Sequence, residues 1–586
     1  MLDVLIIGGG PHALTLASLL SRSHPNPGQE EVPPASCREP PRLDLKEEAH
    51  HKTKRKVTHG HESLEASLAK STPGDDDVMT GDDDVITSPI SLLVVDSYGR
   101  WTSLWRSQFS ALNIPHLRSH TLVHTDPLNK MALQEFALKN NRSAELHSLP
   151  EQVFILDENT FFNDTPLGKK ERKRLKVTST RLKVTSTRLK VTSTLQKNMF
   201  LSLPGTKLTV DFFQDQVQRY DLDKFLVKGS VTRILPVTQE AEKEDQKGGG
   251  ARRVTHFQVH FQDGAMRQAR RVVMATGPTR AQMANIPSWV HGLEEKFPEG
   301  RLQHTVRLMH FLSAQQDHGD VTGSVCEPGH RVMVVGGGLT SAHVVAMALQ
   351  RGASHVTWVM RKHLQLRQFD AGDVEGLLGR YSHLDHGVKM DARAHLRQFY
   401  QQRSLHARLA MIGQARKGGA VTPQAYMHLR PFILKGQVEV RSYCQVLDAS
   451  WCYKKQEWRL HVSSGDDWTG DMIWLATGCK LDVRQDPLLS DVMSMFPIQV
   501  LDGWPCISES LQWTEGCPLY LMGQYTALQI GAHAVNLAGG QAASMRIAKD
   551  IQQHHNKKKM EEESHLSARR LTSEESIQQM HGLLWL

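Results

Sequence analysis

Val4-Leu5-Ile6-Ile7-Gly8-Gly9-Gly10-Pro11-His12-Ala13 opens the chain, and Val332-Met333-Val334-Val335-Gly336-Gly337-Gly338-Leu339-Thr340-Ser341 echoes it in its second half. Each is a strand-like apolar run that feeds a glycine turn and then a helical pattern. Such a turn aims backbone N–H groups and the positive end of a helix at a phosphate. One glycine turn is a weak signal, because glycines gather in ordinary turns. Two in the same context predict two dinucleotide-binding units, and a chain that passes electrons between them. At the first, Gly8 makes the bend, Gly10 lets the backbone approach a pyrophosphate, and Ala13 lets helix and strand pack closely, with Gly9, Pro11 and His12 completing the turn. Pro11 suits a first helical turn, where the N–H it lacks would have no partner. Gly336 and Gly338 take the same roles in the second turn, with Leu339 and Thr340 next and Ser341 at the third small position.

The two turns lead to strands with opposite endings. Ser91-Leu92-Leu93-Val94-Val95-Asp96 is a buried-strand pattern ending in an acid. An acid there accepts hydrogen bonds from an adenosine ribose, or it merely ends a strand. After the second turn, His355-Val356-Thr357-Trp358-Val359-Met360 ends in Arg361-Lys362. Two cations at that point favour a ribose 2′-phosphate, hence NADPH over NADH, the alternative being a solvated surface pair. Two further strand–turn units match each other, Arg271 to Gly277 and Asp471 to Gly478, both ending Ala-Thr-Gly. Their glycines, Gly277 and Gly478, allow close approach of a ligand or of another chain segment. Near the C-terminus, Leu519-Tyr520-Leu521-Met522-Gly523-Gln524 is a last strand–turn, before Ile530-Gly531-Ala532-His533-Ala534-Val535-Asn536-Leu537-Ala538-Gly539-Gly540. A helix starting near Gly531 would point its dipole at a flavin edge that gathers charge on reduction, or would be a plain core helix.

Composition sets the frame around these motifs. A chain of 586 residues is too long for a single core. Its 39% hydrophobic and 23% charged content is ordinary for a soluble protein, and no apolar run spans a bilayer. The first strand begins so near Met1 that no room is left for a cleaved leader, which predicts a cytoplasmic protein. Seven cysteines, at positions 37, 326, 444, 452, 479, 506 and 517, are scattered singly. No zinc-like spacing occurs, so no metal site is expected, and no close pair supports a redox-active disulfide. The net charge of +8 is concentrated in low-complexity stretches such as Lys169-Lys170-Glu171-Arg172-Lys173-Arg174. No reader motif accompanies it, so nucleic-acid binding is not expected.

Two tandem arrays interrupt the pattern. Gly74-Asp75-Asp76-Asp77-Val78-Met79-Thr80 repeats as Gly81-Asp82-Asp83-Asp84-Val85-Ile86-Thr87, and Arg-Leu-Lys-Val-Thr-Ser-Thr runs three times from Arg174 to Thr194. Both read as insertions into surface loops, which cost little stability. The expected fold is therefore α/β: two Rossmann-like dinucleotide-binding domains (FAD and NADPH), the second inserted in the first, with disordered low-complexity insertions. Residues 1–22 and 90–290 form the first part of the FAD domain, and 481–550 its return segment. Residues 300–480 form the NADPH domain. Residues 23–89 are a disordered insertion, 165–196 the basic repeat, and 551–586 a charged tail that would dock on the body or on a partner protein.

With these motifs in place the chain resembles the flavin-dependent monooxygenases of the ornithine/lysine N-hydroxylase and flavin-containing (Baeyer–Villiger-related) type, with a distant similarity to the oxidative-stress-induced growth inhibitor proteins of animals. Apart from the insertions, the resemblance covers most of residues 1–285 and 300–550. Gly99-Arg100-Trp101-Thr102-Ser103-Leu104-Trp105 resembles the Gly/Trp segment these proteins place beside the flavin, which implies cofactor contacts for Arg100, Trp101 and Trp105. Ile114-Pro115-His116-Leu117-Arg118 is similar to bacterial FAD/NAD(P)-binding members, and Phe297 to His304 to the family's F-x-G-x-x-x-H linker, one residue longer before Gly300. Gly523-Gln524 stands where related disulfide reductases carry Gly-Asp. The resemblance implies that NADPH reduces FAD, that O2 adds at flavin C4a, and that the peroxide delivers one oxygen to a small-molecule substrate. The protein's share is then positioning and exclusion of water. His304, Asp370 and Gln524 are the candidate catalytic residues. An FAD-binding regulatory protein with little turnover, or an NADPH oxidase or reductase without oxygen transfer, would share every one of these motifs.

Overall fold

The computed structural model describes residues 1–21, 89–119, 121–147, 152–154, 188–190, 202–239, 252–277, 283–293, 296–318, 325–364, 398–415 and 419–583. Most of the two predicted insertions, and Asp370, lie outside them. Strand β1 (Leu2–Ile7) runs straight into Gly8, and helix α1 (Pro11–Ser21) comes next. Val4, Leu5 and Ile6 are fully buried, as a central parallel strand covered on both faces requires. Strand β2 (Leu92–Asp96) lies parallel to it, with Ile6 opposite Val94. Helices α2 (Ser103–Ala111) and α3 (Thr206–Arg219) come next, then β3 (Leu226–Lys228), which pairs parallel with β2. Strands β4 (Val231–Gln239) and β5 (Arg253–Phe261) are antiparallel and lead into β6 (Met266–Met274). The first half of β6 pairs with β5 and its second half returns parallel to β1.

The chain then builds a second sheet. It starts with β7 (Leu302–His304), α4 (Thr305–His318), β8 (Arg331–Val335), α5 (Leu339–Gln350) and β9 (His355–Val359). Helices α6 (Leu405–Ala415) and α7 (Pro423–Leu434) precede β10 (Val438–Arg441). An antiparallel ribbon of β11 (Val446–Cys452), β12 (Glu457–Val462) and β13 (Asp467–Gly470) then delivers the chain to β14 (Met472–Leu475). The parallel order is β7-β14-β8-β9-β10.

The chain then goes back to the first sheet through β15 (Gln512–Thr514) and β16 (Cys517–Leu521). Strand β16 lies parallel to β6, which gives the order β15-β16-β6-β1-β2-β3. Every strand of the second parallel sheet thus falls in sequence between β6 and β15. Both chain ends meet in the first.

Helix α8 (Leu537–Leu583) closes this sheet against α1. Two glycines make the contact possible. A Cβ on Gly540 would sit 2.3 Å from Cδ2 of His12, whose Nε2 lies 2.9 Å from the Asn536 carbonyl. A Cβ on Gly539 would meet the His533 carbonyl. The Gly540→Ala variant must push the His12 ring off its carbonyl, and overpacking of this kind costs about 1–3 kcal/mol. A urea midpoint lowered accordingly, and recovered in Gly540→Ala/His12→Ala, is the expected result.

Three expectations need correcting. Gly531, with φ 107°, caps the short helix Ala527–Ile530 instead of opening the last one, which starts six residues later at Leu537. Helix α8 runs unbroken through 551, so the charged tail continues it up to Leu583. The repeat 165–196 is not all loop: Arg188–Lys190 pairs antiparallel with Gln152–Phe154. The domain boundaries are not clean either. Phe399, Leu405, Leu409, Met411 and Ile412, expected in the second domain, pack into the core of the first. Ala111, Leu112 and Ile114, expected in the first, pack into the core of the second. Buried Arg408 anchors the first exchange, donating to the Leu528 carbonyl at 3.2 Å and to Gln529 Oε1 at 2.8 Å.

Candidate functional site

The two glycine turns are built on one plan. Gly8 N–H donates to the Val95 carbonyl at 2.7 Å and Gly336 N–H to the Val359 carbonyl at 2.9 Å. Ala275 N–H donates to the Ile7 carbonyl, and Ala476 N–H to the Val335 carbonyl, both at 2.8 Å. Each Ala-Thr-Gly turn therefore lies directly over one glycine turn. A Cβ on Gly8 (φ +105°) would be 2.5 Å from the Ala275 carbonyl oxygen; on Gly336 (φ +144°) it would be 2.2 Å from that of Ala476. No side chain fits between them.

At the first turn, Asp96 folds back. Its Oδ2 accepts from Gly9 N–H and its Oδ1 from Tyr98 N–H, both at 2.8 Å. Thr102 N–H donates to the Gly9 carbonyl at 2.7 Å, from a left-handed backbone (φ 55°) that a β-branched residue adopts only under constraint. Pro11 is the first residue of α1, and Ala13 is fully buried against the sheet. A Cβ on Gly10 or on Gly277 would meet nothing within 4 Å, so both face open space. Buried Trp101 Nε1 and Gln108 Nε2 have no hydrogen-bond partner among the described residues. The open turn and unspent donors fit a bound polar cofactor. Arg100 is exposed.

At the second turn, Ser341 Oγ donates to the Gly338 carbonyl at 2.5 Å, closing the first turn of α5. Arg361 and Lys362 are exposed just beyond β9. His304 Nδ1 accepts from Val306 N–H at 3.2 Å, which leaves the proton on Nε2, donated to the Gly478 carbonyl at 3.0 Å. Both ring nitrogens are thereby committed to backbone, and His304 holds the second Ala-Thr-Gly turn in place. Gly478, like Gly277, faces open space. The turn itself is covered: a Cβ on Gly419 would lie 2.7 Å from Gly338 N, so Gly419 rests on the Gly337–Gly338 peptide.

Between the turns lies a cavity of about 590 Å³, within the range of small-molecule sites. Of the predicted residues, Gly10, Pro11, His12, Trp105, Gly277, Leu339, Thr340, Gly523 and Gln524 line it. Asp96, Trp101, His304, Arg361, Lys362, Gly478 and Gly531 do not. Trp105 stacks on Phe109 with ring centroids 3.8 Å apart, making one apolar wall. The start of α8 reaches the cavity through Asn536 and Leu537, where Arg118 Nη2 donates to Asn536 Oδ1 at 2.7 Å. Three lining histidines, His116, His343 and His428, carry no signal of a shared site in the sequence. Their convergence comes from three separate elements, which no local pattern encodes.

Burial disfavours the charged form of several imidazoles here, His116 among them. It pushes His12, His304 and His343 below the ordinary value of 6.5, and His343 to about 4. An unfolded chain protonates first as the pH falls, so stability is complete above about 6.5 and drains away toward 4. Denaturant midpoints measured from pH 7.5 downward should fall across that window, by about 1.4 kcal/mol for each unit of displacement.

The chain matches the model of the pyridine nucleotide-disulphide oxidoreductase family over residues 141–419. No curated protein sequence matches it. Among solved structures, an ornithine hydroxylase from Pseudomonas aeruginosa is 13% identical with a TM-score of 0.54, covering 94% of this chain and 99% of that one. An ornithine N-hydroxylase from Kutzneria sp. 744, described with reduced FAD, NADP+ and L-ornithine, is 14% identical with a TM-score of 0.52 over the same shares. An L-lysine 6-monooxygenase from Pseudomonas syringae is 16% identical, also at 0.52 and with the same coverage. The chain shares the fold of these hydroxylases and of the lysine monooxygenase. No disulphide joins two cysteines among the described residues. No described helix is long and apolar enough to cross a membrane.

Proposed function

We propose that this chain is an NADPH-consuming, FAD-dependent monooxygenase of the N-hydroxylase or flavin-containing type, acting on a small molecule and O2. The observation that carries the reading is the duplicated architecture, in which each glycine turn is roofed by its own Ala-Thr-Gly turn and one cavity touches both. Residues 1–22, 90–290 and 481–550 would hold FAD, and 300–480 NADPH, apart from the two exchanged segments. Gly8 to Ala13, with Asp96, would take the FAD pyrophosphate and ribose. Trp105, Gly277, Gly523 and Gln524 would flank the ring system, and α8, from Asn536, would present its positive end to it. Gly336 to Ser341 and the Arg361-Lys362 pair would take NADPH. When bound, the flavin supplies hydride acceptance and oxygen activation, chemistry that no side chain of this protein can perform. The chain's own work is to orient the two rings and to keep water out with the Trp105–Phe109 wall. His304 is a positioning residue for the second turn, and Gln524 a polar group at the cavity.

The Arg361→Ser/Lys362→Ser variant should raise KM for NADPH by about 10- to 100-fold and leave KM for NADH unchanged, because only the former carries the 2′-phosphate. Initial-rate kinetics with both nucleotides checks this. Labelled O2 tests oxygen transfer itself. One labelled oxygen in an organic product supports the monooxygenase, whereas stoichiometric hydrogen peroxide with every substrate offered would make the protein an oxidase. A specific observation favours a second reading, an FAD-holding regulatory protein with little turnover. Gly419 covers the very peptide an incoming pyrophosphate needs.

A further inference from the structure

The cavity wall carries a charge pattern that neither glycine turn requires. His116 and Arg118 come from the loop after α2, His343 from α5 and His428 from α7. No aspartate or glutamate lines the cavity among the described residues. Beside these groups Trp105, Phe109, Ile114 and Leu203 give the wall apolar stretches, and its remaining polar side chains, such as Gln108 and Asn113, are uncharged. His343 is depressed first by burial and then by the proximity of His428, His116 and Arg118, and His147 stands beside His116 with ring centroids 5.4 Å apart. A metal does not explain the cluster, since no three ligating side chains converge on one point among the described residues. Pyrophosphates do not explain it either, because their partners are the backbone N–H groups at the two glycine turns, where α1 and α5 start.

We propose that this wall recognises the substrate and selects an organic anion, a carboxylate-headed molecule with an apolar body. The inference rests on the monooxygenase reading and names the substrate class for it. An ammonium head would enter beside the Arg118 guanidinium and be repelled. A carboxylate would accept from Arg118 and from imidazole N–H donors, and would supply the negative charge that lets the histidines take up protons. The solved relatives are named for ornithine and lysine, amino acids that carry a side-chain amine besides their carboxylate, and this wall offers no acidic partner for such an amine among the described residues.

The test uses the full-length protein with its flavin, at pH 7, and three probes of one chain length: decanoate, decan-1-ol and decan-1-amine. Calorimetry should show decanoate binding at least ~10-fold tighter than the amine, a difference of about 1.4 kcal/mol. Its heat, and not that of the alcohol, should vary with the ionisation enthalpy of the buffer, which reports proton uptake. His428→Gln, at an exposed position that tolerates the change, and His116→Gln should each narrow the ratio. Equal or tighter binding of the amine overturns the proposal, as does an unchanged ratio in both variants. Competitive displacement of decanoate by NADP+ also overturns it, by assigning the cluster to the dinucleotide. Flavin reduction by NADPH is read separately on the same sample, so loss of the monooxygenase reading and loss of the anion preference are distinguishable.

Discussion

Gly8→Ala yields a protein without flavin. The new methyl group would stand 2.5 Å from the Ala275 carbonyl oxygen and 2.9 Å from its carbon, both backbone atoms fixed between β6 and Gly277. It also asks an L-residue to hold φ +105°, which by itself costs about 1–2 kcal/mol. Neither atom can yield without parting Ala275 N–H from the Ile7 carbonyl. The turn opens instead, and the backbone N–H groups lose their aim at the pyrophosphate. FAD affinity should fall by at least ~100-fold, equivalent to about 2.8 kcal/mol. Absorbance of the purified variant, and titration with added FAD, measure it. Retention of yellow colour at wild-type stoichiometry would separate this turn from flavin binding.

Gly336→Ala does the reciprocal damage. Its Cβ would fall 2.2 Å from the Ala476 oxygen, an even closer approach, at φ +144°. The first sheet is untouched, so the variant should purify yellow with its flavin oxidised, and NADPH should reduce it at least ~100-fold more slowly at subsaturating concentration. A folding defect common to both variants would remove flavin from both. The two opposite phenotypes, colourless in one and yellow but unreducible in the other, therefore report on the sites and not on general stability.

Much of this was legible in the sequence, because a parallel strand buried on both faces must be apolar throughout and a glycine turn must come after it. The two glycine turns, the strand ending at Asp96 and the paired Ala-Thr-Gly turns all fall where expected. What the pattern could not show was which carbonyl each glycine faces; that Gly8 meets Ala275 and Gly336 meets Ala476 is a product of sheet order. Gly531 misled for a local reason, since a positive-φ glycine serves a helix end as readily as a turn before a start. The domain boundaries were misplaced because Phe399 and Ile412 are apolar residues whose partners lie far away in sequence, and composition carries no address. The histidine cluster was invisible on the same ground. His116, His343 and His428 are unremarkable singly, and only the packing of α5 and α7 over the loop after α2 brings them to one wall. His304 shows the reverse, a residue singled out as a catalytic candidate whose ring is spent on backbone.

The most direct measurement of the central claim is anaerobic mixing of the purified full-length protein with NADPH, and separately with NADH, while flavin absorbance is followed. The account predicts a tightly held FAD that NADPH bleaches at least ~10-fold faster than NADH at equal subsaturating concentration, given the two cations beyond β9. A protein that holds no flavin after incubation with FAD, or a bound flavin that stays oxidised under NADPH, would contradict it.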